Sequence, residues 1–152
     1  MRLNLGSGKY PLEGWTNVDA HCEADVQGDI RDLHFHDVEA VNMDHLLEHF
    51  SWRETTSILA RIHSWMLPGG DLRIEVPDMT QIMERGTQHP RWFKYVYGDQ
   101  STPGEFHLAG FTCGMLVERL QMAGFRLRFI AKNTSRHQGR RGMPCLVARA
   151  SA

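Results

Sequence analysis

Long apolar runs are missing: nothing in the 152 residues approaches the roughly 18 consecutive apolar residues that a membrane-spanning helix needs. Missing too is a secretory leader, because Met1-Arg2 runs straight into Leu3-Asn4-Leu5 with no basic segment, apolar stretch or small-residue cleavage site. The expectation is a soluble, cytoplasmic protein with no membrane association. Cysteine is sparse, and Cys22, Cys113 and Cys145 lie far apart without a C-x-x-C pair, so neither a disulfide framework nor a metal site is signalled. No acidic residue follows Glu118, whereas Arg119, Arg126, Arg128, Lys132, Arg136, Arg140, Arg141 and Arg149 all do. The formal net charge of -1 nevertheless gives no overall reason to expect nucleic acid.

The apolar share of 41% and charged share of 23% are ordinary for a globular chain, and the length suits one domain over residues 1–152. Its patterning alternates strand and helix. Arg2-Leu3-Asn4-Leu5 reads as a buried strand stopping at Gly6-Ser7-Gly8, and Trp15-Thr16-Asn17-Val18-Asp19 as a second. Residues 24–29 and 40–44 are shorter strand candidates, the first interrupted by Asp25 and Gln27. Ser51 and Glu54 have capping-box spacing ahead of a helix on which Ile58, Leu59, Ile62, Trp65 and Met66 share one face, ended by Leu67-Pro68-Gly69-Gly70. A strand over 71–76 leads through Pro77-Asp78 to a short helix over 79–85 that Gly86 stops.

Trp92, Phe93, Tyr95, Val96 and Tyr97 form an aromatic, helical segment, and a polar loop follows over 98–104. Thr112 caps a helix carrying Met115, Leu116, Val117 and Leu120, with Gly124 at its end. Phe125, Leu127 and Phe129 alternate with Arg126 and Arg128, which, in a sheet covered by helices on both faces, suits an edge strand. Residues 143–150 return as its hairpin partner through a link over 132–142. The sum is a Rossmann-like α/β fold: a mostly parallel sheet of about seven strands with a C-terminal antiparallel hairpin and a ligand crevice at the strands' carboxyl ends.

Chemistry is expected first at the Gly6-Ser7-Gly8 turn, where small side chains leave backbone N–H groups bare to a ligand. Asp19, ending the next strand, can accept both hydroxyls of a ribose. A dinucleotide fingerprint would place a third glycine three residues after Gly8 with a long helix behind it. That position is Pro11, and the link over 9–14 has room for at most about a turn, since Tyr10 precedes proline. No helix N-terminus is then offered to a pyrophosphate, which argues against NAD or FAD.

These residues, together with Asp44-His45-Leu46-Leu47-Glu48-His49, Leu67-Pro68-Gly69-Gly70-Asp71-Leu72-Arg73-Ile74 and Val76-Pro77-Asp78, give a chain that resembles the class I S-adenosylmethionine-dependent methyltransferases, in a small subgroup with a shortened first crossover. The resemblance is close over residues 1–86 and looser at 107–111 and Phe125. It implies that S-adenosylmethionine is the cofactor. Gly6, Ser7 and Gly8 would hold its methionine part, Asp19 its ribose, and Asp29 with Ile30 its adenine edge. Asp44 belongs to the same crevice, with His45 and Leu46 near the sulfur, and Glu48 either lines the active site or is a solvated residue.

Methyl transfer to an activated sulfonium asks mainly that the acceptor be held in line. A base is needed only if the acceptor must lose a proton, and the candidates are His107, His49 and Tyr97, with His107 preferred for its loop. The Asn/Asp-Pro-Pro-Tyr/Phe pattern of many amino-group methyltransferases and the Pro-Cys pair of cytosine methyltransferases are both absent. Little chain precedes the first strand, so the site is either open or completed by another subunit, as in a homodimer. Arg136, Arg140 and Arg141, with Lys132 and His137, would form an anion-binding lid, because arginine forks match phosphate, carboxylate or sulfate. The expected acceptor is a small molecule or a glycan, anionic if that lid is used. Nucleic acid is disfavoured by the want of aromatic platforms among those basic residues. A non-catalytic, methyltransferase-like subunit serving a partner protein is the alternative.

Overall fold

Strict alternation of side chains along β1 (Arg2–Leu5) decides which way the sheet faces. The computed structural model describes residues 1–86, 90–134 and 142–152. Beside β1 lie β2 (Thr16–Asp19), β3 (Val26–Gln27), β4 (Val38–Asp44), β5 (Met66–Pro77), β6 (Arg126–Thr134) and β7 (Pro144–Ser151), in the order β3-β2-β1-β4-β5-β7-β6. The first five are parallel, and β7 is antiparallel to both β5 and β6. The seven-stranded sheet and its closing antiparallel pair match the expected Rossmann-like architecture.

One face of the sheet is apolar. Leu3, Leu5, Val18, Val41, Met43, Leu72, Ile74, Leu146 and Ala148 share a core with Ile58, Leu59, Ile62 and Trp65 of α1 (Thr55–Trp65) and with Leu116 and Leu120 of α4 (Cys113–Met122). Each fully buried Val, Leu, Ile or Met among them stabilises the fold by about 1.5–3 kcal/mol. The other face carries a polar row. Asn17, Asn4, Asn42 and Arg73 stand in register across β2, β1, β4 and β5. Asn42 Nδ2 donates to Asn4 Oδ1, and Asn4 Nδ2 to Asn17 Oδ1, both at 2.9 Å. The 9–14 link lies over this row, with Leu12 N donating to Asn17 Oδ1 at 2.7 Å. As expected for the link over 9–14, no helix stands between β1 and β2; a short link covers the sheet there.

α2 (Met79–Arg85) and α3 (Trp92–Tyr97) build a second, smaller cluster, with Ile82, Tyr95 and Met143 buried at its centre. Met143 immediately precedes β7, so this cluster sits at the carboxyl end of β5. No helix among the described residues is long and apolar enough to cross a membrane.

Four local expectations need correction. The capping box does not form: Ser51 uses its carbonyl to accept from Glu54 N at 2.8 Å, the helix begins only at Thr55, and the Glu54 carboxylate reaches instead toward Arg31 at 3.8 Å. Leu67-Pro68-Gly69-Gly70 belongs to β5, looped out as an irregularity, since Val38 pairs with Met66 but Ala40 with Asp71. In β6 a bulge between Leu127 and Phe129 shifts the register, which turns Phe129 away from the core to 53% exposure and leaves Ile130 packed against it. Lys132 lies in β6 opposite Leu146 and not in a link.

Candidate active site

The loop after β1 turns sharply. Gly6 and Gly8 have φ of +66° and +53°, left-handed angles that side chains rarely tolerate. Gly6 N and Ser7 N both donate to Val18 O, at 2.8 and 3.1 Å, which draws the loop over the end of β2. A Cβ on Gly6 would come within 2.8 Å of Leu46 Cδ1, so Leu46 packs directly on the loop. At Gly8 nothing lies within 4 Å of the corresponding position, and the backbone there borders open space. Gly8 N donates to Asp19 Oδ2 at 2.8 Å, while Asp19 Oδ1 accepts from His21 N and Cys22 N, also at 2.8 Å. A carboxylate has about four acceptor directions, so Asp19 fastens the loop with some of them and keeps capacity for a hydroxyl.

A cavity of about 1240 Å³ opens from this loop. Its wall includes Gly6, Ser7, Gly8, Asn4, Asn42, Asp44, Arg73, Glu75, His49 and His107, and α3 with its approach adds Arg91, Lys94 and Tyr95. The volume exceeds the roughly 300–1,000 Å³ usual for one small-molecule pocket, leaving room for a cofactor and an acceptor together. A smaller hollow of about 410 Å³ beside Arg31, His34 and α1 shares none of these residues.

A chain of charges runs along the floor. Arg73 pairs with Asp44 through Nη1 and donates to Glu75 Oε2 through Nη2 at 2.8 Å. Glu75 Oε1 lies 3.2 Å from both His45 Nε2 and Cys145 Sγ, and His45 Nδ1 lies 3.0 Å from Glu48 Oε1. Both ring nitrogens of His45 thus meet carboxylates, an arrangement that suits a doubly protonated ring. Burial alone would raise both carboxyls. The hydrogen bond from His45 and the charge of its ring overcome it at Glu48, and hydrogen bonds from His45 and Cys145 with the charges of His45 and Arg73 do so at Glu75, so each is held down to about 2. Burial together with the Glu75 carboxylate pushes the Cys145 thiol well above its ordinary value, so Cys145 stays protonated and donates. His45 has φ of +54°, a left-handed angle at the strand's end that Glu75 O fixes by accepting from His45 N at 2.9 Å.

The histidine pair stands on two elements. His49 ends a short 3-10 turn over Leu47–His49, and His107 follows a second such turn over Pro103–Glu105. Glu48 O accepts from Leu108 N and Ala109 N at 2.7 and 3.1 Å, stitching the two segments together. The His49 and His107 rings meet edge to face, 5.0 Å between centroids.

The structure therefore gathers Gly6, Ser7, Gly8, Asp44, His49 and His107 around one cavity, with Asp19 fastened to its rim. His45 is buried between its two carboxylates, and Leu46 packs on Gly6. Asp29 pairs with Arg31, whose hydrogen bond pulls the carboxyl below its usual range, and the Ile30 side chain is in the core. Tyr97 stands outside the cavity wall, stacked on Phe93. Arg136, Arg140 and Arg141, with His137, lie outside the described residues. Arg73 and Glu75 were missed, although part of their signal was visible: Asp71, Arg73 and Glu75 alternate with Leu72, Ile74 and Val76, and in a strand that the sheet order makes internal charge on one face needs a partner or a ligand.

Solved structures share this architecture. One S-adenosylmethionine-dependent methyltransferase from Methanosarcina mazei superposes with a TM-score of 0.69 at 14% identity, over 99% of this chain and 91% of that one. The fold is that of the S-adenosylmethionine-dependent methyltransferases. A methyltransferase-fold chain in the Haloferax volcanii complex of a methyltransferase with the Trm112 activator gives 0.67 at 13% identity, over 99% and 81%. The 1,6-didemethyltoxoflavin-N1-methyltransferase of Burkholderia thailandensis, solved with S-adenosylhomocysteine, gives 0.64 at 17% identity, over 99% and 69%. No family model and no curated protein matches the sequence.

Proposed function

We propose that the chain is an S-adenosylmethionine-dependent methyltransferase acting on a polar small-molecule or glycan acceptor. The observation that carries the reading is the bare, left-handed Gly6-Ser7-Gly8 loop fastened by Asp19 at the head of the cavity. The bound cofactor would supply a methyl group activated on a sulfonium. Gly6, Ser7 and Gly8 offer backbone to its methionine end, and Asp19 offers its remaining acceptor capacity to the ribose. Asp29 and Ile30 would take the adenine edge, Ile30 through its backbone, since its side chain is in the core. His45 and Leu46 complete the crevice, His45 by its backbone and Leu46 by its packing on the loop. The polar wall of Asn42, Asp44 and Arg73 suits an acceptor rich in hydrogen-bonding groups.

His107, with His49 beside it, is the proposed proton acceptor where the substrate must lose a proton. Tyr97, outside the cavity wall, is the weaker candidate. An anionic substituent on the acceptor would meet Lys9 and Arg91 at the wall, and Arg136, Arg140 and Arg141 extend that proposal into the following link.

The test is ligand-induced thermal stabilisation, since a ligand that binds only the native state raises the melting temperature. S-adenosylhomocysteine should stabilise the chain and NAD should not; the reverse pattern would overturn the reading. Asp19→Ala should abolish the shift while circular dichroism stays native. His107→Ala should keep the shift and lose methyl incorporation into small-molecule or polysaccharide fractions, and full turnover by that variant removes the base assignment.

A further inference from the structure

The expectation of no metal site came from cysteine spacing, yet His107 meets two residues far from it in sequence, the neighbours Glu48 and His49, at the cavity. A Glu48 carboxylate oxygen and one ring nitrogen each of His49 and His107 all lie within 4.8 Å of one another. The hydrogen bonds around the two rings settle which nitrogen is offered. His49 Nδ1 lies 3.0 Å from Phe106 O, and His107 Nδ1 lies 3.2 Å from Tyr95 O. A carbonyl oxygen only accepts, so each Nδ1 carries its hydrogen and the neutral ring presents the Nε2 lone pair. Metal-binding histidines have this arrangement: the distal N–H is tied to a carbonyl or carboxylate, which fixes both tautomer and ring orientation.

Glu48 supplies a second, independent observation. Its side chain is fully buried, and while Oε1 accepts from His45, Oε2 has no hydrogen-bond partner. A buried carboxylate oxygen left unmatched is costly, on the order of 1–3 kcal/mol or more for a charged group. In a fold that pairs Asp44, Glu75, Asp78 and Asp19 with care, such an orphan beside two oriented imidazoles is the donor set a cation would match.

We propose that Glu48, His49 and His107 bind a divalent first-row transition-metal ion at the cavity wall. Two imidazoles and one carboxylate suit zinc or ferrous iron, and leave coordination positions for an exogenous ligand. Ligands on a tetrahedral ion with bonds of about 2.0–2.1 Å stand about 3.3 Å apart, closer than the observed limit, so binding draws the three side chains inward. His49 and His107 are only half-buried and border the cavity, so both can shift inward with their Nδ1–carbonyl bonds kept. The open positions would face the cavity, where a hydroxyl, carboxylate or phosphate oxygen can enter. That last role rests on the methyltransferase reading: an acceptor oxygen held on the ion would be oriented there, and its proton affinity lowered. With an ion bound, both Nε2 lone pairs are in use, and the histidines act on the acceptor through the ion and not as a direct base.

Binding is tested apart from turnover. The 152-residue chain, stripped with EDTA, is titrated with Zn²⁺ by calorimetry and with Co²⁺ by visible absorption. One ion per chain is expected, with ligand-field bands of an oxygen and nitrogen site. His49→Ala and His107→Ala should each weaken binding by about 100-fold or more, and Glu48→Gln substantially, while the S-adenosylhomocysteine thermal shift of the two histidine variants stays intact and so certifies their fold. Wild type without stoichiometric binding, or binding unchanged in the His49→Ala/His107→Ala double variant, overturns the proposal. Metal binding without any S-adenosylhomocysteine shift would instead leave the metal site standing and remove the cofactor reading. Methyl transfer that persists unaltered in EDTA would remove the ion's role on the acceptor and return His107 to acting as a base.

Discussion

Gly6 meets two separate demands. Its φ of +66° disfavours any other residue by roughly 1 kcal/mol or more, and the 2.8 Å approach to Leu46 Cδ1 adds a clash in a packed position, worth about 1–3 kcal/mol. Gly6→Ala should therefore lower stability by about 2–4 kcal/mol, seen as a fall in the urea midpoint, and should also erase the S-adenosylhomocysteine shift. The two demands can be separated by adding Leu46→Ala, which removes the clash and leaves the backbone strain. The double variant should recover part of the lost midpoint relative to Gly6→Ala. If it recovers nothing, Leu46 does not constrain the loop. Gly8, with open space about it, provides the contrast: its alanine variant meets only the strain.

At the scale of elements, α2 depends on one side chain. Asp78 is fully buried, and its carboxylate caps the helix by accepting from Thr80 N at 3.0 Å and Gln81 N at 3.4 Å, while Gln81 Nε2 donates to it at 2.8 Å. Asp78→Ala should cost about 1–2 kcal/mol. It should also loosen the α2 and α3 cluster that carries Arg91, Lys94 and Tyr95 to the cavity, so hydrogen exchange in α2 should quicken while the protection of β1 and β4 holds. Uniform loss of protection would mean that α2 is not a separable unit.

This cap was legible in the sequence because it is local: Pro77-Asp78 ahead of a short amphipathic run says where a helix starts. The glycine turn and Asp19 were legible for the same reason. The Ser51 box failed because Arg31, distant in sequence, draws the Glu54 carboxylate toward it, and the inward placement of Phe129 failed because a bulge counts one residue twice against its partner strand. The meeting of His49 with His107 could not be read at all. It depends on Phe106 O, Tyr95 O and the bonds to Glu48 O, contacts that exist only once the chain is folded.

For the whole molecule, the decisive feature is a sheet whose two faces differ in kind. One face stabilises the fold through apolar burial under α1 and α4; the other carries the asparagine row and the charges Asp44, Arg73 and Glu75 toward the cavity. Stability is thereby tied to pH through the same groups that shape the site. Glu75 is held at about 2, against an ordinary 4.5, because the hydrogen bonds from His45 and Cys145 and the charges of His45 and Arg73 outweigh its burial. A depressed folded-state value means that the unfolded chain binds the proton more readily. The contribution is complete above about pH 4.5 and is lost as the pH falls from there toward 2, amounting to on the order of 3 kcal/mol. Urea midpoints measured between pH 7 and pH 3 should therefore decline steeply below pH 4.5. Glu75→Gln should be less stable at pH 7, because Arg73 and His45 lose a counter-charge, yet should decline less steeply in acid, so that the two curves converge. Parallel curves would place the acid sensitivity elsewhere: in Glu48, which His45 also holds down to about 2, or in Asp25 and Asp29, whose carboxyls Asn17 and Arg31 hold below the usual range. Asp25 and Asp29 lie at the β2 and β3 end of the sheet, and their replacement by asparagine separates the two cases, flattening the decline if they carry it and leaving it unchanged if Glu48 does.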